Sequence, residues 1–311
     1  MRVMKIVILD HIQLAERHIT ILKELGNVVR YNGYPLTEME SIERIAGAEI
    51  LISGWTNITT HIIQNSPSLK FIIVPAVGYE NVDVKAASQM GIMVSNCPTH
   101  NTQAVAEHTI ALMLLIARRI TEANTRLKNG EWKPSEYMGI ELRNKKLGLI
   151  GYGNIGRTVA HIAQNIGMKV SHANSKTPPD GLDQLIANSD FVSLHLPVTD
   201  KTRHLMNERR LRLMKKDAYL INTARGAILD QKALIKVLKS GHLAGVALDV
   251  FENEPHAGKL SGELLDLVKC HNVIATPHMG FNTQEASYRL GEELIANIQA
   301  IMSGNPINIV S

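Results

Sequence analysis

KLGLIGYGNIGRTVAHIAQNIG, Lys146 to Gly167, decides how the rest of the chain is read. An apolar run over Lys146–Ile150 leads into Gly151, Gly153 and Gly156 at G-x-G-x-x-G spacing, and an amphipathic stretch follows at once. Gly151 permits a tight turn, Gly153 lets the backbone approach a pyrophosphate, and Gly156 lets helix and strand pack closely. The helix start, at Asn154 and Ile155, then offers N–H groups and a positive dipole end to phosphates. Three glycines alone also mark ordinary turns. Here the strand, turn and helix around them point to dinucleotide binding.

Outward from this turn the pattern repeats. Short Val- and Ile-rich segments alternate with longer helical ones, which is the signature of parallel sheets. Before the turn, strands are expected at Lys5–Leu9, Ile50–Ser53, Phe71–Val74 and Met93–Ser95. From the turn onward six follow: Lys146–Ile150, Lys169–Ala173, Phe191–Leu194, Tyr219–Asn222, Gly245–Asp249 and Val273–Ala275. One long helix is expected from about Thr102 to Leu127, capped by Asn101 or Thr102 and bridging two units. A last helix, Gln284 to Met302, stops before Gly304 and Pro306 and is expected to pack back on the first unit.

The fold class is therefore α/β, with two doubly wound parallel-sheet domains. Residues 1–100 with 285–311 form one unit and residues 101–284 the other, with a substrate expected in the cleft between them.

Composition narrows the function classes. The chain has 311 residues, a net charge of +4 and 45% hydrophobic residues, enough for two moderate cores. Its charges are interspersed, which argues against a nucleic-acid partner. The densest basic run, Arg209, Arg210, Arg212, Lys215 and Lys216, reads as a solvated helix face rather than a polyanion site. Cys97 and Cys270, the two cysteines, lie far apart and suggest neither a disulfide framework nor a metal site. The N-terminus reads as a first strand, not a secretory leader, and no apolar run is long enough to span a bilayer. A soluble, cytoplasmic protein is expected.

Past the glycine turn, the stretch KVSHANSK, Lys169 to Lys176, ends where dinucleotide-binding sheets usually carry an acid. The residue at the strand tip is Asn174, with Ser175 and Lys176 beside it. A carboxylate there accepts hydrogen bonds from the adenosine ribose and repels a 2′-phosphate. A neutral Asn beside Ser and Lys removes the repulsion and supplies donors. The cofactor expected is NAD(P), with NADP(H) slightly favoured over NAD(H); the alternative is that Asn174 alone bonds the ribose and Lys176 is solvated.

Three polar residues follow late strands of the second unit: Arg225 in INTARGAILD, Glu254 in LDVFENEP and His278 in ATPHMG. Taken singly each has a dull explanation, since thirteen His are present and loop Arg or Glu is usually solvated. Together they suit reduction of a 2-oxo acid. Arg225 can hold the carboxylate and carbonyl in a planar fork, His278 can pass a proton to the carbonyl oxygen as hydride arrives, and Glu254 can orient His278 and favour its charged form.

The ordered set GYGNIG, HLPVT at His195–Thr199, NTARG at Asn222–Gly226, GVALDVFENEP at Gly245–Pro255 and TPHMG at Thr276–Gly280 resembles the D-isomer-specific 2-hydroxyacid dehydrogenases. GYENVD at Gly78–Asp83 and GEWKP at Gly130–Pro134 extend the likeness over essentially the whole chain. The resemblance implies that Arg225, Glu254 and His278 form the catalytic set. It implies backbone N–H groups around Val77 and Gly78 for the substrate carboxylate. Asp249 would hold the nicotinamide amide, and His195, Pro197, Thr199, Thr223 and Gly280 would line the cofactor. It further implies a flavodoxin-like substrate domain, an inserted NAD(P)-binding Rossmann domain, and a homodimer formed through the latter.

Subfamily departures sharpen the substrate. Relatives that reduce 3-phosphohydroxypyruvate look to have arginines in the segment matching Ile52–Thr56, where this chain has Ser53, Gly54 and Trp55. Similar formate dehydrogenases carry Gln in place of Glu254. Trp55 suggests a small or partly apolar pocket, and Phe281 either trims that pocket or packs. Glyoxylate or hydroxypyruvate reduction is the first expectation, and D-lactate dehydrogenase is the alternative. A corepressor-like NAD(H)-sensing protein is the rival from another class; such proteins have extended tails, and this chain ends soon after its last helix.

Overall fold

The structure, a computed structural model, describes residues 3–255 and 259–311. Contacts divide the chain into two compact units, Met1–Asn101 with Asn282–Ser311, and Thr102–Phe281. The first unit runs β1 (Lys5–Ile8), α1 (Glu16–Leu25), β2 (Asn27–Arg30), α2 (Glu38–Ile45), β3 (Ile50–Ile52), α3 (Thr60–Gln64), β4 (Phe71–Val74), α4 (Val84–Gln89) and β5 (Met93–Asn96). The second opens with α5 (Thr102–Ala117) and α6 (Ile120–Lys128). It continues β6 (Lys146–Ile150), α7 (Asn154–Asn165), β7 (Lys169–Ala173), α8 (Pro179–Asn188), β8 (Phe191–Leu194) and α9 (Glu208–Leu213). Then come β9 (Tyr219–Asn222), α10 (Gln231–Lys239), β10 (Gly245–Leu248), α11 (Gly262–Val268) and β11 (Val273–Ala275). The last helix, α12 (Gln284–Met302), belongs to the first unit.

Both sheets are parallel throughout. The first has the order β2-β1-β3-β4-β5 and the second β7-β6-β8-β9-β10-β11, so each chain starts inside its sheet and reverses direction once. The first order is that of flavodoxin-like sheets, and the reversal in the second, between β6 and β8, is where such sheets open a crevice at their carboxyl ends. Helices cover both faces, so β8 and β10 are buried along their whole length instead of alternating. In the second unit Leu147, Leu149, Phe191, Ile221 and Ala247 pack with Leu112, Met113 and Ile116 of α5 and Val159 of α7. Val192, Leu194, Leu220 and Val246 pack on the other face with Ile186, Leu234 and Val237. Each fully buried Leu, Ile or Val side chain contributes roughly 1.5–3 kcal/mol. In the first unit α12 lays Leu294, Ile295, Ile298 and Ile301 into the core that holds Ile19 and Leu22 of α1.

Two local expectations are corrected. The single helix expected from Thr102 to Leu127 is broken at Arg119, which takes a left-handed φ of 52°. The carbonyl of Ala117 accepts instead from the N–H of Ile140, at 2.9 Å, so the break leaves that acceptor satisfied. Strand β2 was not expected at all. Its four residues, NVVR, sit at a sheet edge with none fully buried, so hydrophobicity alone gives little signal. The basic run lies on and after α9 among carboxylates: Arg209 and Arg210 pair with Asp183, Arg212 with Glu208, and Lys215 with Asp190. Among the described residues no helix is long and apolar enough to cross a membrane, and no three His, Cys, Asp or Glu side chains gather as a metal site.

Candidate active site

The glycine turn joins β6 to α7, and its three glycines answer to three different surroundings. Gly151 has φ 102°, and a Cβ there would lie 2.0 Å from the carbonyl oxygen of His195. A Cβ on Gly156 would lie 2.4 Å from the carbonyl oxygen of Gly151. Both must be glycine for the turn to close. Around Gly153 the opposite holds: a Cβ would meet nothing within 4 Å among the described residues. The open side adjoins the first turn of α7, whose N–H groups at Asn154, Ile155 and Gly156 have no acceptor within the helix. A cradle closed from behind and open at a helix start suits a pyrophosphate, so the residues present fit a dinucleotide.

At the tip of β7, Asn174 is folded into its own loop. Its Oδ1 accepts the N–H of Lys176 at 2.9 Å, and its own N–H donates to Thr177 Oγ1 at 3.0 Å. The acceptor end of the amide is thus engaged. Ser175 and Lys176 are exposed, and His172 stacks flat on Tyr152 of the glycine turn, centroids 3.7 Å apart. At the end of β8, Ser193 Oγ lies 2.9 Å from Nε2 of His195, the first residue of the following loop, and burial pushes the His195 imidazole down to about 4. The ring is neutral at physiological pH, which adds no cation beside the turn. Thr202 ties this loop together, donating to the Pro197 carbonyl and accepting from the N–H of Thr199, both at 2.7 Å.

The three candidate catalytic residues follow β9, β10 and β11, neighbours in the sheet. Arg225 is presented by Asn222, a fully buried side chain. Asn222 Oδ1 accepts from the Ala224 N–H at 3.1 Å, and its Nδ2 donates to the Arg225 carbonyl at 2.9 Å. Glu254 uses both oxygens: Oε1 accepts the Phe251 N–H at 2.8 Å, and Oε2 lies 2.7 Å from His278 Nδ1. With a carboxylate on Nδ1, the ring's other nitrogen, Nε2, is the one directed to exchange protons with a ligand. His278 itself has φ 49°, a conformation that costs a non-glycine residue about 1–3 kcal/mol and occurs where the surroundings impose it. Phe281 stands edge-on to His278, centroids 5.9 Å apart, so the residue expected either to trim a pocket or to pack touches the imidazole.

Two residues expected at the cofactor also have partners inside the unit. Asp249, expected at the nicotinamide amide, is 2% exposed and spends both oxygens inside the unit. Oδ1 accepts from Thr276 Oγ1 at 2.5 Å and from the Met279 N–H at 3.0 Å, and Oδ2 accepts from the Gly280 N–H at 2.8 Å. Burial alone would raise its pKa; hydrogen bonds from His108, Thr276, Met279 and Gly280 outweigh it and hold the carboxyl at about 2. Thr223, expected to line the cofactor, is buried with its hydroxyl 2.8 Å from that of Thr109 on α5. Both side chains brace the loops that carry them. Thr202, Thr109 and His108 carry none of the expected roles, because an isolated polar residue on a loop or helix has no spacing that marks it; Asn222 opens the NTARG motif but has no expected role of its own.

In the first unit, the expected substrate residues lie on loops after β3 and β4. Asp10, fully buried, accepts the N–H groups of Gly54, Trp55 and Thr56 at 2.8–2.9 Å, which fixes the Trp55 loop. Asn96 Nδ2 donates to the Val77 carbonyl at 2.8 Å, next to Gly78.

Residues 110–280 match the family described as D-isomer specific 2-hydroxyacid dehydrogenase, NAD binding domain. The chain is 38% identical to a glyoxylate reductase of Thermococcus litoralis over 87% of its own length and 86% of the relative's. It is 40% identical to a hydroxypyruvate reductase of Thermotoga maritima, over 80% of this chain and 83% of that one. Among solved structures it is similar to an acyclic imino acid reductase in complex with NADPH and D-Arg, with a TM-score of 0.90 and 34% identity, covering 99% of this chain and 100% of that one. The glycine cradle, the Glu254–His278 pair and these likenesses agree: the chain belongs to the D-isomer specific 2-hydroxyacid dehydrogenase family, with two parallel-sheet α/β domains of which one is an NAD-binding Rossmann domain.

Proposed function

We propose that this dehydrogenase reduces glyoxylate or hydroxypyruvate with NADPH, using Arg225, Glu254 and His278. The 2.7 Å contact between His278 Nδ1 and Glu254 Oε2, on the strand next to that of Arg225, carries the reading. A bound nicotinamide supplies the hydride. Arg225 holds the 2-oxo acid by its carboxylate, and His278 gives its Nε2 proton to the carbonyl oxygen. Glu254 keeps the ring aimed and offsets its charge; in the reverse direction His278 takes the proton back. Gly151, Gly153, Asn154, Ile155 and Gly156 hold the pyrophosphate. On the first unit, Val77, Gly78 and Trp55 are the proposed substrate residues, with Trp55 favouring a short substrate. The glyoxylate and hydroxypyruvate reductases among the relatives support this substrate class.

The test is a panel of 2-oxo acids, glyoxylate, hydroxypyruvate and pyruvate included, assayed with NADH and with NADPH. Glyoxylate or hydroxypyruvate should give the highest kcat/KM; a panel led by pyruvate would make the protein a D-lactate dehydrogenase. Likeness to the imino acid reductase supports a second reading, reduction of a C=N bond, and adds an imino acid to the panel.

NADPH preference is supported by the strand tip. Asn174 Oδ1 is engaged by Lys176, so what the side chain offers a cofactor is its Nδ2 donor, and a donor suits a 2′-phosphate oxygen. Asn174→Asp should move the NADPH/NADH ratio of kcat/KM toward NADH by about tenfold or more, the effect of roughly 1.4 kcal/mol of added repulsion. An unchanged ratio would show that discrimination lies elsewhere.

A homodimer through the Rossmann domain is supported by exposed apolar side chains on α5, α6 and the segment after them: Leu114, Ile120, Leu127, Trp132 at 81% exposed and Met138 at 86%. Light scattering should give twice the chain mass, and Trp132→Asp with Met138→Asp should give the monomer. A monomeric parent would exclude this assembly. A cytoplasmic location is proposed on the two free thiols, Cys97 and Cys270.

A further inference from the structure

Residues Thr276 to Gly280 form a loop that must hold His278 in a left-handed conformation at the proton-transfer position. Beside the Leu248 carbonyl, which accepts the Thr276 N–H at 2.9 Å, and Glu254 on the His278 ring, the loop is anchored by Asp249. Its backbone carbonyl accepts the His278 N–H at 2.8 Å. Its side chain takes the Thr276 hydroxyl at 2.5 Å and the N–H groups of Met279 and Gly280 at 3.0 and 2.8 Å. One further group reaches this cluster from a distant part of the chain. His108, on the second turn of α5, places Nε2 3.1 Å from Thr276 Oγ1 and 3.3 Å from Asp249 Oδ1. Because the Thr276 hydroxyl donates to Asp249, it can only accept from His108, so Nε2 of His108 carries a proton. The ring also packs on the loop: a Cβ on Gly280 would lie 3.2 Å from His108 Cδ2 and 3.0 Å from Asp249 Oδ2.

We propose that His108, through Thr276 and Asp249, is a positioning residue for His278: the chain His108 Nε2–H to Thr276 Oγ–H to Asp249 Oδ1 fixes the loop that aims the proton donor. The inference rests on His278 being that donor. His108 touches neither His278 nor Glu254 among the described contacts, so its effect passes through loop placement. An error of about 1 Å at a reacting group costs up to roughly 100-fold in rate. The loop after β9 is reached from α5 at Thr109 and not at His108.

His108→Leu and Thr276→Val keep the shape and remove one link each. Either should lower kcat by roughly 10- to 100-fold, with the dissociation constant for NADPH, read by fluorescence titration, changed less than twofold. The isotope effect on kcat with cofactor deuterated at the transferred position should rise, since a misplaced donor makes the chemical step slower relative to product release. His108→Gln, whose amide nitrogen replaces Nε2, and Thr276→Ser should restore most of the loss. Full turnover in both His108→Leu and Thr276→Val overturns the proposal. So does an NADPH affinity that falls by the same factor as kcat, which would make the cluster a cofactor site, or a His108→Gln as slow as His108→Leu, which would make the ring mere packing. Should His108→Leu unfold, the Thr276→Val and Thr276→Ser pair decides alone. His278→Gln is the control: if it keeps turnover, the donor assignment falls, whereas an inactive His278→Gln beside fully active loop variants overturns only the positioning role.

Discussion

Replacing His278 by Gln is expected to lower kcat by roughly 10²- to 10⁴-fold, the range for removing a positioned general acid, while the cofactor dissociation constant stays close to that of the parent. Although His, unlike Gln, is enriched at the left-handed backbone that residue 278 adopts, Gln preserves polarity and approximate size. What it lacks is a titrating proton. The Gln amide can still donate to the Glu254 carboxylate, which lies 2.7 Å from His278 Nδ1 in the parent, but it has no second nitrogen to give a proton to the substrate. The glycine turn between β6 and α7 is untouched, so phosphate binding persists. Steady-state kinetics together with fluorescence titration of NADPH separate the two quantities. If both fall by the same factor, His278 is holding the cofactor and the acid–base assignment is lost.

The second large effect is expected at Arg225. A planar fork on a carboxylate makes two charge-assisted hydrogen bonds, each about 1.5–3 kcal/mol. Arg225→Gln should therefore cost roughly 10²- to 10⁴-fold in kcat/KM for a 2-oxo acid. The loss must be selective. A slow substrate with a carbonyl but no carboxylate, such as a simple aldehyde, does not use the fork and should lose far less. The ratio of glyoxylate to aldehyde kcat/KM in parent and variant is the measurement, and an equal loss on both would mean that Arg225 supports the loop and not the substrate. That outcome has a physical basis to exclude, because Arg225 Nη1 also donates to its neighbour's carbonyl, Ala224 O, at 2.7 Å, and the Asn222 side chain braces the same turn.

Much of the fold was legible because parallel α/β architecture is written locally. Segments such as FIIV in β4 and GVAL in β10 are apolar throughout, being covered on both faces. The helix of Gln284 to Met302 ends at a glycine with φ 77°, as its stop signal indicates. Where local pattern was weak, the reading failed. Edge strand β2 buries too little for its composition to show it, and the break at Arg119 depends on a carbonyl of α5 being taken up by Ile140, on a separate segment.

The candidate site divides along the same line. Sequence by itself determined the family, the glycine cradle, the absence of a carboxylate at the tip of β7, and the three residues at the ends of β9, β10 and β11, because each belongs to a short motif whose spacing is contiguous in the chain. Only the tertiary structure decided that Asn174 turns its oxygen inward to Lys176, that Thr223 is spent on Thr109, and that Asp249 braces the His278 loop with help from His108. These are hydrogen bonds whose partners, apart from Lys176, come from separate elements. Which partner a buried carboxylate or hydroxyl takes is set by the packing of α5 against the sheet, and no local periodicity records that choice.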